Sequence, residues 1–193
     1  MYALALFVHV VGVLAMFMGL GTLVLSGIAI RRATRVEQVR ALIGPLTAGR
    51  KIGLEQISLI DVLVISGVLL IAATGVYMAA SAWSFEVGWI RTALISFLLI
   101  APVGPLVVNP RLHAIARESV AAPDGPCAPA LARRIHDPLL GTALQLMLAT
   151  LLGIVFLMTN KPAPTESVVA MATAVGLGAA SALPLWRWRP NRS

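Results

Sequence analysis

The sequence predicts an all-α, polytopic membrane bundle of about five transmembrane helices, and three observations carry that prediction. Of the 193 residues, 59% are hydrophobic and only 12% are charged, about half the charge of an ordinary soluble domain. The apolar residues fall in long blocks, and stretches of 18 or more with few charges read as membrane spans. The lysines and arginines collect between alternate blocks, which is the pattern of membrane topology. With a mean hydropathy of +0.90, residues 1–193 read as a single integral membrane domain.

The first span runs from about Tyr2 to Ile30, and Arg31-Arg32 stop it. It is too long for a signal-peptide core and has no basic leader or clear cleavage site, so it is expected to be retained. Thr34 with Glu37 offers a capping box. Val36, Val39, Leu42 and Ile43 then predict a short amphipathic helix along the interface, ended by Gly44-Pro45. Span two is placed at about 57–80 and span three at about 87–108. Asn109-Pro110 reads as an N-cap and first-turn pair opening a short polar helix, Arg111 to Glu118. Residues 121–130 are loop by composition. Asp137-Pro138 repeats the cap-and-proline device ahead of span four, about 138–158. Span five, about 168–185, ends at Trp186-Arg187-Trp188-Arg189.

The charges orient this layout. Arg31, Arg32, Arg35, Arg40, Arg50, Lys51, Arg111, Arg117, Arg133, Arg134, Arg187, Arg189 and Arg192 fall on one side, thirteen against Arg91 and Lys161 on the other. The positive-inside rule then predicts an N-terminus outside and a C-terminus in the cytoplasm, with Trp83 and Trp89 at the outer interface. The net charge of +7 sits in short loops between apolar blocks, which argues against nucleic acid and for the lipid bilayer as partner. A bacterial cytoplasmic (inner) membrane, crossed several times, fits best. The single cysteine, Cys127, excludes an internal disulfide and any cysteine-cluster metal site.

Polar groups inside a bilayer are costly, so they form the list of candidates. His9 lies seven residues into span one, roughly 10 Å below its outer end. Gly12, Met16, Gly19 and Gly27 project to the same half of the helix, and small residues mark a packing face. His9 therefore points into the bundle, either as a haem or metal ligand or bonded to a neighbouring helix. Met78 and Met158 share its half of the membrane, and histidine with methionine suits haem or Cu(I). Methionine is equally an ordinary apolar filler. Asp61, about one turn inside span two, either relays protons or cations or pairs with Arg31, Arg32 or Arg50. Gln145 belongs to a stripe, Thr142, Gln145, Ala149 and Gly153, read as helix–helix glue. Pro102, Pro105 and Pro110 must kink or open span three. Lys161-Pro162 ends span four where the lysine snorkels or meets an anion. No phosphate loop, nucleotide fingerprint or nucleophile elbow is present.

Leu6-Phe7-Val8-His9-Val10-Val11-Gly12-Val13-Leu14, followed by Gly19, resembles the opening helix of a family of small bacterial integral membrane proteins of unknown function. Phe156-Leu157-Met158-Thr159-Asn160-Lys161-Pro162 and the Asn109-Pro110-Arg111-Leu112 turn are similar to the same family. That family is similar in pattern to the membrane domain of copper-resistance protein D and to the membrane-bound, haem-containing protoporphyrinogen oxidase. The resemblance implies that His9 stands where those relatives carry a haem ligand or metal-linked histidine, with haem b or copper as the cofactor. Three functions are therefore carried forward. The first is a non-catalytic subunit or scaffold of a membrane complex or homo-oligomer. The second is a haem- or copper-binding protein using His9 for electron transfer or metal homeostasis. The third is a small-molecule permease using span three and Asp61.

The orientation is testable in a Cys127→Ser background. Ser84→Cys is expected to react with a membrane-impermeant maleimide in intact cells, and Ala130→Cys only after permeabilisation. The opposite pattern would invert the chain.

Overall fold

Five helical stretches are long and apolar enough to cross a membrane, making this a multi-pass membrane protein. The computed structural model describes residues 1–52 and 55–187; Trp188, Arg189 and Arg192 lie outside the described residues. In chain order the elements are α1 (Tyr2–Arg32), α2 (Val36–Thr47), β1 (Gly49–Ile52), β2 (Glu55–Ser58), α3 (Leu59–Ala82), α4 (Gly88–Ile100), a π-helical turn (Gly104–Val108), α5 (Asn109–Ala121), α6 (Pro129–Ile135), α7 (Pro138–Asn160) and α8 (Pro164–Trp186). The crossings are α1, α3, α4 through α5, α6 through α7, and α8. At about 1.5 Å per residue, the 31 residues of α1 span about 46 Å. That exceeds a hydrocarbon core of about 30 Å, so α1 tilts or projects from it.

Glycine sets the packing of the first pair. On α1 the buried residues His9, Gly12, Met16, Gly19, Leu20, Leu23 and Ile30 form one face, laid against α3. A Cβ added at Gly67 would stand 2.8 Å from the Gly12 carbonyl oxygen and 2.9 Å from Met16, and one at Gly19 would stand 2.6 Å from Val64. The helices approach until backbone meets backbone, which only small residues allow. The same device joins α7 to α8. The Ala149 side chain lies 2.7 Å from the Cβ position of Gly178, and Ala174 lies 2.9 Å from that of Gly153. Gln145 accepts from the Ser181 hydroxyl at 2.8 Å, and Thr142 accepts from the Trp186 indole at 3.0 Å. Central α7 also touches α1 and α4.

The two ends of the bundle differ. At the end that holds Arg31, α2, α5 and α6 enclose a small core of their own, with Val36, Val39, Ile115, Leu131 and Ile135 almost wholly buried. Arg40 ties it together: its guanidinium donates to the Ser119 carbonyl at 2.7 Å and also meets the Ala122 carbonyl and the Asp124 carboxylate. A cation on the last carbonyls of α5 is the favourable sign for a helix C-terminus. Arg111 pairs with Asp137 at 2.9 Å, Arg134 pairs with Glu118, and Arg31 donates to the Asp137 carbonyl at 2.7 Å. The opposite end, at Tyr2, closes on aromatic rings. Trp83 and Trp89 meet edge to face with centroids 5.5 Å apart.

Local details depart from the sequence reading. The cap of α2 sits one residue later than Thr34 and Glu37. Gln38 reaches back to the amides of Thr34 (3.1 Å) and Arg35 (3.4 Å), while Glu37 pairs with Arg35. Gly44-Pro45 does not end that helix, which runs to Thr47 and leads into the antiparallel pair β1–β2, with Gly49 opposite Ser58. Helix α6 and this strand pair were not expected. Asn109 caps nothing; its backbone is helical (φ −58°, ψ −47°), and residues 104–121 run on as one path. The prolines explain the π turn between α4 and α5. Pro102 and Pro105 lack amide hydrogens and cannot bond one turn back. The wider turn lets the Asn109 amide bond Gly104 instead, and Arg111 satisfies the Val107 carbonyl at 3.0 Å. Lipid offers no substitute partner for a free backbone group. Asp137 does cap α7 through the Leu139 amide at 2.9 Å.

Gly67→Val is expected to lower stability by about 1–3 kcal/mol through overpacking, read as a lower melting temperature in detergent. Gly21→Val should leave the melt unchanged, since nothing lies within 4 Å of its Cβ position.

Candidate functional site

The α1–α3 contact carries His9 to a defined place. One turn beyond Gly12 on the same face, the ring reaches α3 at Thr74 and Gly75. His9 is 4% exposed, and its Nδ1 lies 3.0 Å from the Thr74 hydroxyl oxygen. Gly75 lies against the ring: a Cβ there would stand in ordinary contact with the imidazole, at 3.5 Å. The Thr74 hydroxyl donates to the Leu70 carbonyl. Its hydrogen is therefore committed, and toward His9 it can only accept. That assigns the proton to Nδ1 and leaves Nε2 with a bare lone pair. Nε2 is buried and has no hydrogen-bond partner. An unsatisfied buried acceptor is costly and rare, so this one asks for a ligand.

His9 borders a cavity of about 450 Å³ at the Tyr2 end, bounded by α1, α3, α4 and α7. The same cavity is lined by Met78 and Met158, so residues 69 and 149 positions from His9 border one space with it. Trp89 and Ile90 supply more of the apolar lining, and Tyr2, Trp83 and Lys161 stand at the mouth. A narrower extension passes Ile71 and Ala93 to reach Phe97. The volume is in the range of small-molecule and cofactor sites, and the lining is typical of them: mostly apolar, with a few placed polar groups.

No protein-family model, characterised protein or solved structure matches this chain. Among the described residues no group of three or more His, Cys, Asp or Glu side chains is placed to hold a metal ion. Cys127 is far from His9 in the chain and packs beside α2. Burial, and then the negative charge of Glu37, push its thiol above the usual range.

The remaining polar candidates have structural partners. Asp61 is the third residue of a capping box: its carboxylate accepts from the Ser58 amide at 2.9 Å and hydroxyl at 2.8 Å, and from the Asn109 amide at 3.5 Å. Pairing with Arg31 is thus corrected, because Arg31 is drawn to Asp137 by the way α1 meets the start of α7. Asp61 and Asn109 border a second cavity of about 320 Å³ beside the π turn, which Phe97 also lines. Gln145 holds α8 and faces neither His9 nor Asp61. His136 bonds the Ala132 carbonyl through Nδ1 at 2.9 Å, far from His9 at the Arg31 end. Thr74 and Gly75 escaped sequence reasoning, because they lie 65 and 66 positions from His9 and neither is unusual in a membrane helix.

Thr74→Val removes the acceptor that selects the tautomer. Nitrogen NMR of histidine-labelled protein should show His9 protonated at Nδ1 in the parent and lose that preference in the variant. An unchanged tautomer would separate Thr74 from the site.

Proposed function

We propose that this protein binds haem b in the cavity at the Tyr2 end, with Nε2 of His9 as an axial ligand, and serves electron transfer across or along a bacterial inner membrane. The observation that carries this is the buried, unpartnered Nε2 of His9, a residue that borders a cavity Met78 and Met158 also line. The donor set fits a porphyrin better than a bare ion. A porphyrin brings four nitrogen ligands, so one histidine, alone or with a thioether, completes the iron. A bare divalent ion would need more protein ligands than the described residues assemble. Copper(I) accepts the same histidine and thioether donors, and metal analysis tells the two apart.

Haem held there supplies a one-electron couple at iron. The chain's own residues set its conditions. Thr74 holds the imidazole in the tautomer that presents Nε2, the part a second-shell partner plays for most ligating histidines. Ile90, Trp89 and Val10 line the cavity and would keep water from a group bound there. With the thirteen positive charges inside, we infer that the Tyr2 end faces out, so the cavity lies in the outer leaflet.

A second reading, a subunit of a membrane assembly, is supported by α8. Ala172, Gly176 and Ala180 are exposed and recur every four residues, and nothing lies within 4 Å of the Gly176 Cβ position. Small residues at that spacing suit close helix association. A scaffold of this kind and a haem site are compatible.

The test is an absorption spectrum of the detergent-purified protein from haem-supplied cells, oxidised and dithionite-reduced, with metal analysis on the same sample. A Soret band that shifts on reduction is expected, and His9→Ala should abolish it while still inserting, because α1 stays apolar. A full band in His9→Ala would remove His9 as ligand. Stoichiometric copper without a Soret band would put the ion in the porphyrin's place. A colourless protein that carries a second chain would favour the scaffold.

A further inference from the structure

Lys161 is an odd residue for its position. It ends α7 with φ 49° and ψ 52°, and among the described residues it is the only non-glycine with positive φ. Helices usually end in that conformation with glycine or asparagine, because a longer side chain pays a steric cost there. Asn160 stands just before it, one residue short of using that preference. Something other than backbone comfort keeps the lysine.

Its surroundings suggest what. The ammonium sits 4.6 Å from the centre of the Trp83 ring. Trp83 in turn packs edge-on to Trp89 and donates through its indole toward the Tyr2 hydroxyl at 3.5 Å. All four side chains line the cavity that His9 borders. Among the described residues no ion pair includes Lys161. The nearest acidic residue in sequence, Glu166, is turned back to cap α8 through the Ala163 amide at 3.2 Å. An ammonium resting on an aromatic face is stabilised enough to be held in place, yet it keeps its hydrogens for a better acceptor. The cavity is thus apolar in its body, with His9 on its border and the Lys161 ammonium at its mouth.

We propose that Lys161 is the anion-recognition residue of this cavity. It takes the carboxylate end of an amphipathic ligand whose apolar body fills the space between Lys161 and His9, and in haem that end is a propionate. The inference rests on the cavity assigned above but not on iron ligation. Trp83 holds the ammonium at the mouth before the ligand arrives and gives it up on binding, so the contact with the ring is exchanged for a charge-assisted hydrogen bond. Such a contact orients the ligand, carboxylates toward the aqueous end, because the walls offer no other cation.

Metal-free protoporphyrin IX and its dimethyl ester make the test independent of His9. Binding to the detergent-purified full chain is followed by quenching of tryptophan fluorescence. The parent is expected to prefer the free acid by roughly tenfold or more, the usual return on a charge-assisted hydrogen bond. Lys161→Asn removes the charge and suits the left-handed backbone, so it should fold at least as well. It should lose the preference while binding the ester as the parent does. Lys161→Arg should keep the preference. Equal binding of acid and ester by the parent, or equal weakening of both by Lys161→Asn, would overturn the proposal. If the preference holds while His9→Ala leaves the haem spectrum intact, only the ligand assignment falls.

Discussion

Close approach of α1 to α3 is the constraint on which this structure turns. In water, helices associate to hide apolar surface, but lipid tails are as apolar as leucine and give no such drive. Association must come from dense packing, and Gly12, Gly19 and Gly67 provide it by removing the side chains that would hold the axes apart. His9 is positioned as a consequence. It lies one turn from Gly12 on a face already committed to α3, so its ring meets Thr74 and Gly75 instead of lipid. The bare Nε2 is therefore a product of backbone geometry as much as of the histidine.

The ends of the bundle divide labour. At the Arg31 end, charge and burial are combined: Arg40, Arg111 and Arg134 are all paired, and the small core of α2, α5 and α6 is as dry as that of a soluble domain. At the Tyr2 end α1, α3, α4 and α7 bound a cavity lined by Trp83, Trp89, Tyr2 and one lysine. Regions with fewer buried contacts open most readily.

The third crossing shows how a membrane helix survives three prolines. Each removes a hydrogen bond, and the π turn at 104–108 with the Arg111 side chain recovers part of the loss. Widening the helix also carries Asn109 to Asp61, so the kink and the cap of α3 stabilise each other. A carboxylate that looks like a proton relay on paper is, in the fold, a cap with an extra partner.

The sequence by itself determined the crossings, the charge asymmetry and the inward face of α1. These follow from hydropathy and a 3.6-residue period, which are local properties of the chain. The small-polar stripe of α7 was legible for the same reason, because Thr142, Gln145, Ala149 and Gly153 share one face whatever they meet. Tertiary structure alone decided what those faces meet. Nothing near His9 in the chain specifies Thr74 as its partner, Met78 and Met158 as its neighbours or Lys161 at the cavity mouth. Nor does any local pattern send Arg31 to Asp137 and leave Asp61 to Ser58 and Asn109. Contacts between helices depend on which small residues let which axes approach, and that is a property of pairs of helices, invisible in either one alone.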